Sequence, residues 1–446
     1  MSSYEALASK IIEFAQKNGA QETEVLIREG MQFSTTVRMG KVETLTEATS
    51  RGLGLRVMID KRTALANTSD FAWETVESVV RGAIERARLA NPDPFAGLPE
   101  RQEIRAELAR LALYDSSVEQ LTAAEKIAMA EKTEKTGLAL DKRISNSTGA
   151  DCGTNTTQVC LANSKGFSGT YRGSVCSLSL GLLGQEPGSP AQVQDFWFTV
   201  GRRVSVLEPP EKVAQTAVER LRQHFGAKKV PTQEVPVIFD PLMAAEVMSD
   251  IFDAVSGENI YLKSSFLVDQ LEKKVASDLV TILDDGLLPG GLGTRPFDRE
   301  GVPTATTTVF ENGVLKNYLL SSYSARKLNR KPTGNGGAGT SESPNNFYLK
   351  AGKSTPEEII KSVPKGLYLT RMIGQGVNVV TGDYSRGAFG LWIEDGKFAY
   401  PVHEITISGN LRQMLADIEM AGNDLVFRDQ FAAPSIKIAK MTIGGT

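Results

Sequence analysis

Two dipeptides constrain the C-terminal half of this chain more than any other feature. Asn312-Gly313 and Asp395-Gly396 each sit between runs of alternating polarity, TTTVFENGVLKNYLL and LWIEDGKFAYPV. A two-residue hairpin loop needs positive φ at both central positions, which Asn, Asp and Gly tolerate best. Such a pair between period-2 runs commits the segment to antiparallel strands. One helix should interrupt them, entering after the strand VPVIF (235–239), with Asp240 as N-cap, Pro241 at N1 and Gly257 past its end. A shorter helix is announced by Ser354/Thr355, Pro356, Glu357 and Glu358.

The first half alternates between helical and strand patterns. Leu7, Ile11, Phe14 and Ala15 follow helical spacing over 4–18, with Ser2 or Ser3 as cap and Gly19 as stop. Strand alternation follows at Glu24–Ile27, Phe33–Val37 and Leu53–Ile59, with Gly40 as a turn. A second helix is expected over about 71–89, capped by Ser69 or Asp70, burying Trp73, Val76, Val80, Ile84 and Ala87. The Pro-rich segment NPDPFAGLP (91–99) marks a first boundary. Thr122 and Glu125 then form a capping box at the head of a helix. From Ile144 to about Val206 the pattern turns to short strands, with a hairpin at Ser164–Lys165–Gly166. A helix at about 211–225 lines up Val213, Ala217, Leu221 and His224, so His224 faces the carbonyl end of the helix dipole. The fold class expected is α+β: an N-terminal α/β domain (1–98), a central antiparallel domain with helices (99–226) and a β-rich C-terminal domain (227–446).

Composition excludes several function classes. At 446 residues with 41% hydrophobic and 23% charged residues, the chain reads as an ordinary globular protein of two or three domains. Its net charge of −3 gives no basic footprint for nucleic acid. The basic stretch Arg326, Lys327, Arg330, Lys331 reads as a solvated face. Cys152, Cys160 and Cys176 show no C-x-x-C spacing and suit three neighbouring strands as small buried hydrophobes. The start MSSYEALASK carries Glu5 and no apolar core, so no signal peptide is expected, and no run approaches the roughly 18 apolar residues of a membrane span. A reducing cytoplasm fits these features.

The motif search mostly rejects. The only histidines are His224 and His403, too far apart in sequence for a helical metal motif. His403-Glu404 lies in a strand pattern, where adjacent side chains point to opposite faces. Gly334, Gly336 and Gly339 fit G-x-G-x-x-G but follow no strand and open no helix. Gly352-Lys353-Ser354 matches the end of a P-loop, with Phe347 where the first glycine belongs. One function remains for the Gly-rich segments. Gly336, Gly337 and Gln375 can border a groove where an extended peptide adds as a strand, with Asp383, Tyr384 and Arg386 lining it and Arg386 offered to a carboxylate. The alternative is a plain turn with a structural Asp–Arg pair.

Long blocks of this chain resemble the TldD/PmbA peptidase family. They are LLSSYSARKLNRKPTGNGG (319–337), GKSTPEEII (352–360), GQGVNVVTGDYSRGAFGLWIEDGKFAYPVHEITISGN (374–410), AGNDL (421–425) and MTIGG (441–445). VPVIFD (235–240) and TTVRMGKVETL extend the resemblance over nearly the whole chain, and TGDYSRG and SSYSARKL are similar to its PmbA (TldE) branch. The resemblance implies that TldD-type chains bind zinc through His-Glu-x-x-x-His and a later cysteine, and that PmbA-type chains lack these and pair with them. Carried onto this sequence, the histidine positions hold Ser249 and Ala254 and the glutamate position holds Asp250. A hydroxyl and a methyl cannot replace two imidazoles on zinc. The resemblance therefore implies a partner or substrate-guiding subunit of a metallopeptidase acting on flexible peptides, forming a dimer with a TldD-type chain or with itself, with zinc in the TldD-type chain and none here. A self-sufficient peptidase of other chemistry and a non-enzymatic peptide-binding protein are the alternatives.

Overall fold

The computed structural model describes residues 3–104, 107–186, 188, 192–374 and 376–445. In chain order the first half contains α1 (Ser3–Lys17), β1 (Glu22–Arg38), β2 (Lys41–Ile59), β3 (Arg62–Thr68), α2 (Trp73–Leu89), α3 (Ser117–Gln120), α4 (Ala123–Ala139), β4 (Ile144–Asn163), β5 (Ser168–Gln185), β6 (Gln192–Gly201) and α5 (Pro210–Arg222). The second half contains β7 (Gln233–Phe239), α6 (Pro241–Val255), α7 (Gly257–Tyr261), β8 (Ile282–Asp285), β9 (Thr306–Glu311), β10 (Val314–Leu315), α8 (Ser322–Lys327), β11 (Asn346–Leu349), α9 (Pro356–Lys361), β12 (Lys365–Ile373), β13 (Asp383–Glu394), β14 (Lys397–Asn410), α10 (Leu411–Ala416), β15 (Ile418–Ala421), β16 (Phe431–Ala432) and β17 (Ile436–Gly444). The class is α+β, as the sequence implies.

One six-stranded sheet, ordered β3-β2-β1-β4-β5-β6, carries the whole first half. Strands β1 and β4 run antiparallel from Glu24 opposite Asn163 to Val37 opposite Ala150, so a division at residue 98 falls between two halves of a continuous sheet. The strands are long: β4 has 20 residues and β5 has 18, where the sequence suggested short ones. Cys152 and Cys160 consequently share β4, and only Cys176 lies on a neighbour. All three are buried free thiols. Polar Ser and Thr break the apolar pattern in these strands, so their length is set by pairing partners and not by local hydrophobicity.

The two faces of the sheet have different covers. Alternate residues Val25 and Ile27 of β1 and Cys160 and Ala162 of β4 pack under α1 and α2. The same face continues through Val37, Ala150, Cys152 and Leu180 under α4 and α5. On the opposite face Leu26, Leu161, Phe167 and Tyr171 meet Phe297 from the C-terminal half. Phe297 packs edge-on against Phe167 and Tyr171 at centroid distances of 5.2 and 5.3 Å, a geometry that adds about 0.5–1.5 kcal/mol per pair beyond area burial.

The C-terminal half holds the largest core, centred on α6. A second sheet is ordered β14-β13-β12-β7-β17-β15, and β14 also pairs with β17, closing five strands into a ring. A third, β10-β9-β8-β11-β16, lies beyond α6. The turn dipeptides behave as their chemistry requires: φ is 47° and 79° at Asn312 and Gly313, and 50° and 71° at Asp395 and Gly396. Asp240 caps α6 by accepting from the Met243 amide at 2.8 Å, with Pro241 next to it. The capping boxes at Thr122/Glu125 and Thr355/Glu358 both form. The cap of α2 differs: Ala72 is the N-cap, and Asp70 binds the Ala72 amide and the Thr75 hydroxyl from outside the helix. Among the described residues no helix is long and apolar enough to cross a membrane.

Candidate functional site

Helix α6 has one face in the core and one face against β13. Met248, Ile251, Ala254 and Val255 are fully buried, and Ala254 has no exposed surface. Glu246 and Asp250, four residues apart, share the other face. There Arg386 from β13 donates Nη2 to both oxygens of Asp250, at 2.9 and 3.0 Å, and Nη1 to Glu246 at 2.9 Å. The Arg386 and Asp250 side chains are 11% and 13% exposed, while Glu246 is 42% exposed. One nitrogen thus spans both Asp250 oxygens in a largely dry pair, while the other makes a wetter contact with Glu246. Burial pushes the Asp250 carboxyl up to about 6 against the opposing pull of Arg386. Burial also raises Glu246 and Asp253 on the same helix.

Asp250 is therefore a largely buried, paired carboxylate, neither solvent-facing nor a helix cap. Arg386 is likewise not offered to an incoming ligand, because α6 already supplies two carboxylates. Tyr384 is 2% exposed, with its hydroxyl on Met372 Sδ at 2.9 Å, so its ring does not line an open groove. Asp383 sits at the start of β13, where its carboxylate takes the Thr381 hydroxyl at 2.7 Å and the Asn410 amide at 3.3 Å. Gly336 and Gly337 belong to a different neighbourhood. The Gly336 amide donates to Asp298 at 2.7 Å and the Gly337 amide to the Ser341 carbonyl at 2.8 Å. Gln375 lies outside the described residues. Ser249 is half-buried on α6. A hydroxyl, a carboxylate already paired with a guanidinium and a buried methyl do not suit zinc. No group of three His, Cys, Asp or Glu side chains among the described residues is placed to hold a metal ion.

The two histidines, distant in sequence, line one cavity of about 520 Å³ between the central and C-terminal parts, with Gln194, Arg371, Phe389 and Glu404. His224 does not face helix carbonyls. Its Nε2 lies 2.9 Å from the buried Asp195 carboxylate. Arg220, one turn earlier, reaches Asp240 at 3.2 Å and Asp195 at 3.5 Å, tying α5 to the head of α6. His403 and Glu404 also depart from strand alternation. Glu404 has φ of 51°, and the pairing with β13 jumps from Ala388–Ile405 to Gly390–Val402. This bulge lets both side chains reach the same cavity, where simple alternation would separate them.

Sequence reasoning missed Glu246 and the Arg220–Asp195–His224 network. The i, i+4 spacings of Glu246/Asp250 and Arg220/His224 were the available signals, but their partners lie far along the chain.

Models of three consecutive domains match this chain: PmbA/TldA metallopeptidase domain 1 at residues 23–87, the central domain at 116–225 and the C-terminal domain at 232–445. The chain belongs to the PmbA/TldD metallopeptidase family. Within the family it falls on the PmbA branch. It is 33% identical over 422 residues to the metalloprotease PmbA of Escherichia coli O157:H7, covering 95% of this chain and 92% of that protein. A crystal structure from Bacteroides thetaiotaomicron, described as a proposed modulator of DNA gyrase, superposes with a TM-score of 0.91 at 27% identity, covering 100% of both chains. The fold is also that of TldE from Thermococcus kodakarensis, with a TM-score of 0.90 at 23% identity, covering 98% of this chain and 100% of that one.

Proposed function

We propose that this chain is the PmbA/TldE-type subunit of a cytoplasmic metallopeptidase that processes or degrades flexible peptides and small proteins. In this reading it holds no zinc and acts as partner and substrate guide, while a TldD-type chain carries the metal. The observation that supports it is the Arg386–Asp250 pair. A guanidinium bonds both oxygens of the carboxylate at the position matching the family's glutamate, and Ala254, at one of the two histidine positions, is packed in the core. Asp250 is therefore engaged with a guanidinium and has no neighbouring pair of imidazoles to hold a metal-bound water for it to activate. Its remaining role is to fix β13 against α6, and with it the β13–β14 hairpin that a partner or peptide would meet.

The test is metal content and activity, alone and after mixing with a TldD-type chain. The isolated chain should contain far less than one zinc per molecule and show no chelator-sensitive cleavage of an unfolded peptide. Adding the partner should produce a complex by light scattering and activity that survives Asp250→Ala here. Stoichiometric zinc in the lone chain, with cleavage abolished by His403→Ala, would instead establish a self-sufficient enzyme working in the two-histidine cavity. A strict monomer with no complex after mixing would sink the subunit reading.

A further inference from the structure

The sheet face turned toward the C-terminal half carries an arginine cluster that neither the α6 site nor the histidine cavity uses. A cleft of about 280 Å³ opens there, beside the Phe297–Tyr171 contact. Arg28 of β1 and Arg202, just past β6, enter from the first half, and Arg295 and Arg299 from the second. No Asp or Glu lines the cleft among the described residues.

Two of these arginines are fixed by neutral acceptors. Arg202 donates to the carbonyls of Leu113, Gly291, Leu292 and Thr294 at 2.8–3.3 Å. Arg295 donates to Asn345 Oδ1, to the Ser343 hydroxyl and carbonyl, and to the Pro344 carbonyl at 3.0–3.4 Å. Behind the wall, Arg295 lies within electrostatic range of buried Asp284 and Asp298, whose carboxyls burial pushes up. Arg28 and Arg299 have neither a hydrogen bond nor an ion pair from their side chains among the described residues. Arg299 is nevertheless held in place. It projects from a tight turn whose neighbours Asp298 and Glu300 are 2% and 3% exposed, with Asp298 accepting the amides of Glu300, Val302 and Gly336. Arg28 and Arg299 are exposed at the mouth of the cleft; partial loss of water around the Arg299 guanidinium, then the nearby charges of Arg28 and Arg295, depress it below its ordinary value. Burial does the same to Arg202.

Like charges brought together with no carboxylate lining the cleft between them repel. Guanidinium forks match the oxygens of phosphate and carboxylate two at a time. A single carboxylate supplies one negative charge to this group, whereas a short phosphate chain supplies several in a volume the cleft accommodates. We infer that this cleft is a binding site for a compact anion bearing an oligophosphate group, clamped between the large sheet and the C-terminal half. The ligand bridges Arg28 and Arg202 on one side to Arg295 and Arg299 on the other, so its binding stiffens the junction between the two halves. The oligophosphate belongs either to free inorganic polyphosphate or to a nucleotide.

Calorimetric titration of the full chain at about 150 mM salt, where exposed charges are screened beyond roughly 8 Å, tests this with four probes. They are tripolyphosphate, adenosine triphosphate, citrate and a hexaglutamate peptide, all without divalent cation. Tripolyphosphate should bind saturably and raise the melting temperature. Arg28→Gln/Arg299→Gln should weaken it at least tenfold while leaving the unliganded melting temperature equal or higher, because neither side chain has a protein partner to lose. Tighter binding of adenosine triphosphate, equally dependent on these arginines, would support the site and identify the nucleotide as source; equal binding would support free oligophosphate chemistry alone. Citrate binding as tightly as tripolyphosphate, or tighter hexaglutamate binding, would overturn the phosphate assignment. The absence of saturable binding, or binding indifferent to the double substitution, would overturn the site.

Discussion

Replacing Arg386 with methionine removes the one cation that, among the described residues, faces Asp250 and Glu246 on α6. Asp250 is the group that feels this, because its side chain is 13% exposed, whereas Glu246, at 42%, stays solvated. Even with Arg386 present, burial holds the Asp250 carboxyl at about 6 against 3.8 for the free group. The folded chain thus binds that proton more readily than the unfolded chain. Stability falls as pH rises through this window, and the full penalty, on the order of 3 kcal/mol, is present above it. Loss of Arg386 pushes the folded value higher, so the added cost grows as pH rises above about 6 and is small near pH 5. Breaking a buried pair by removing one partner costs about 3–5 kcal/mol. Because Asp250 escapes by taking a proton, the lower end applies, about 3 kcal/mol at pH 8. For a unit the size of the C-terminal half this is a fall of roughly 6–12 °C in melting temperature. Urea unfolding followed by Trp392, 1% exposed in that half, in a Trp73→Phe/Trp197→Phe background, reads the effect. Asp250→Asn added to Arg386→Met should restore more than half of the loss at pH 8. Equal losses at pH 5 and pH 8, or no rescue by Asp250→Asn, would refute the reasoning.

Grafting Ser249→His and Ala254→His onto α6 should create neither a zinc site nor a peptidase. Position 254 has no space for an imidazole, and the overpacked core should lose about 1–3 kcal/mol or more by urea titration. Gly313→Ala should destabilise by more than about 2 kcal/mol, since its φ is 79° and a Cβ would lie 2.2 Å from the Ala276 carbonyl. Gly40→Ala, with φ of 71° and open space around it, should cost only about 1 kcal/mol, so melting temperatures should rank the two unambiguously. His224→Ala should cost about 1–3 kcal/mol by leaving Asp195 with only Arg220 and the Phe196 amide. Asp195 is held below the usual carboxylate range: burial opposes this, but His224 and Arg220 outweigh it. Its contribution is therefore lost as pH falls below about 4, and the acid-unfolding midpoint of the variant should move to higher pH, read by circular dichroism.

The sequence by itself determined the local elements whose chemistry is short-range. The positive-φ dipeptides at 312–313 and 395–396, the caps at Thr122, Asp240 and Thr355, and the helical apolar stripes of α1, α2 and α5 each depend on residues within a turn of one another. The family blocks, and the identities at 249, 250 and 254, were equally legible, because they are statements about residue type. Only the tertiary structure decided where charges find partners. Nothing near Asp250 in the sequence announces its partner; β13, more than a hundred residues later, brings Arg386 onto it. His224 and His403 meet in one cavity because β14 bulges at Glu404, a departure from alternation that no two-residue pattern announces. The single long sheet joining β1 to β4 follows from strand pairing across more than a hundred residues, and the docking of the C-terminal half on its far face brings Arg295 and Arg299 to Arg28 and Arg202. Such pairing is set by the sum of many weak cross-strand contacts and not by any local preference.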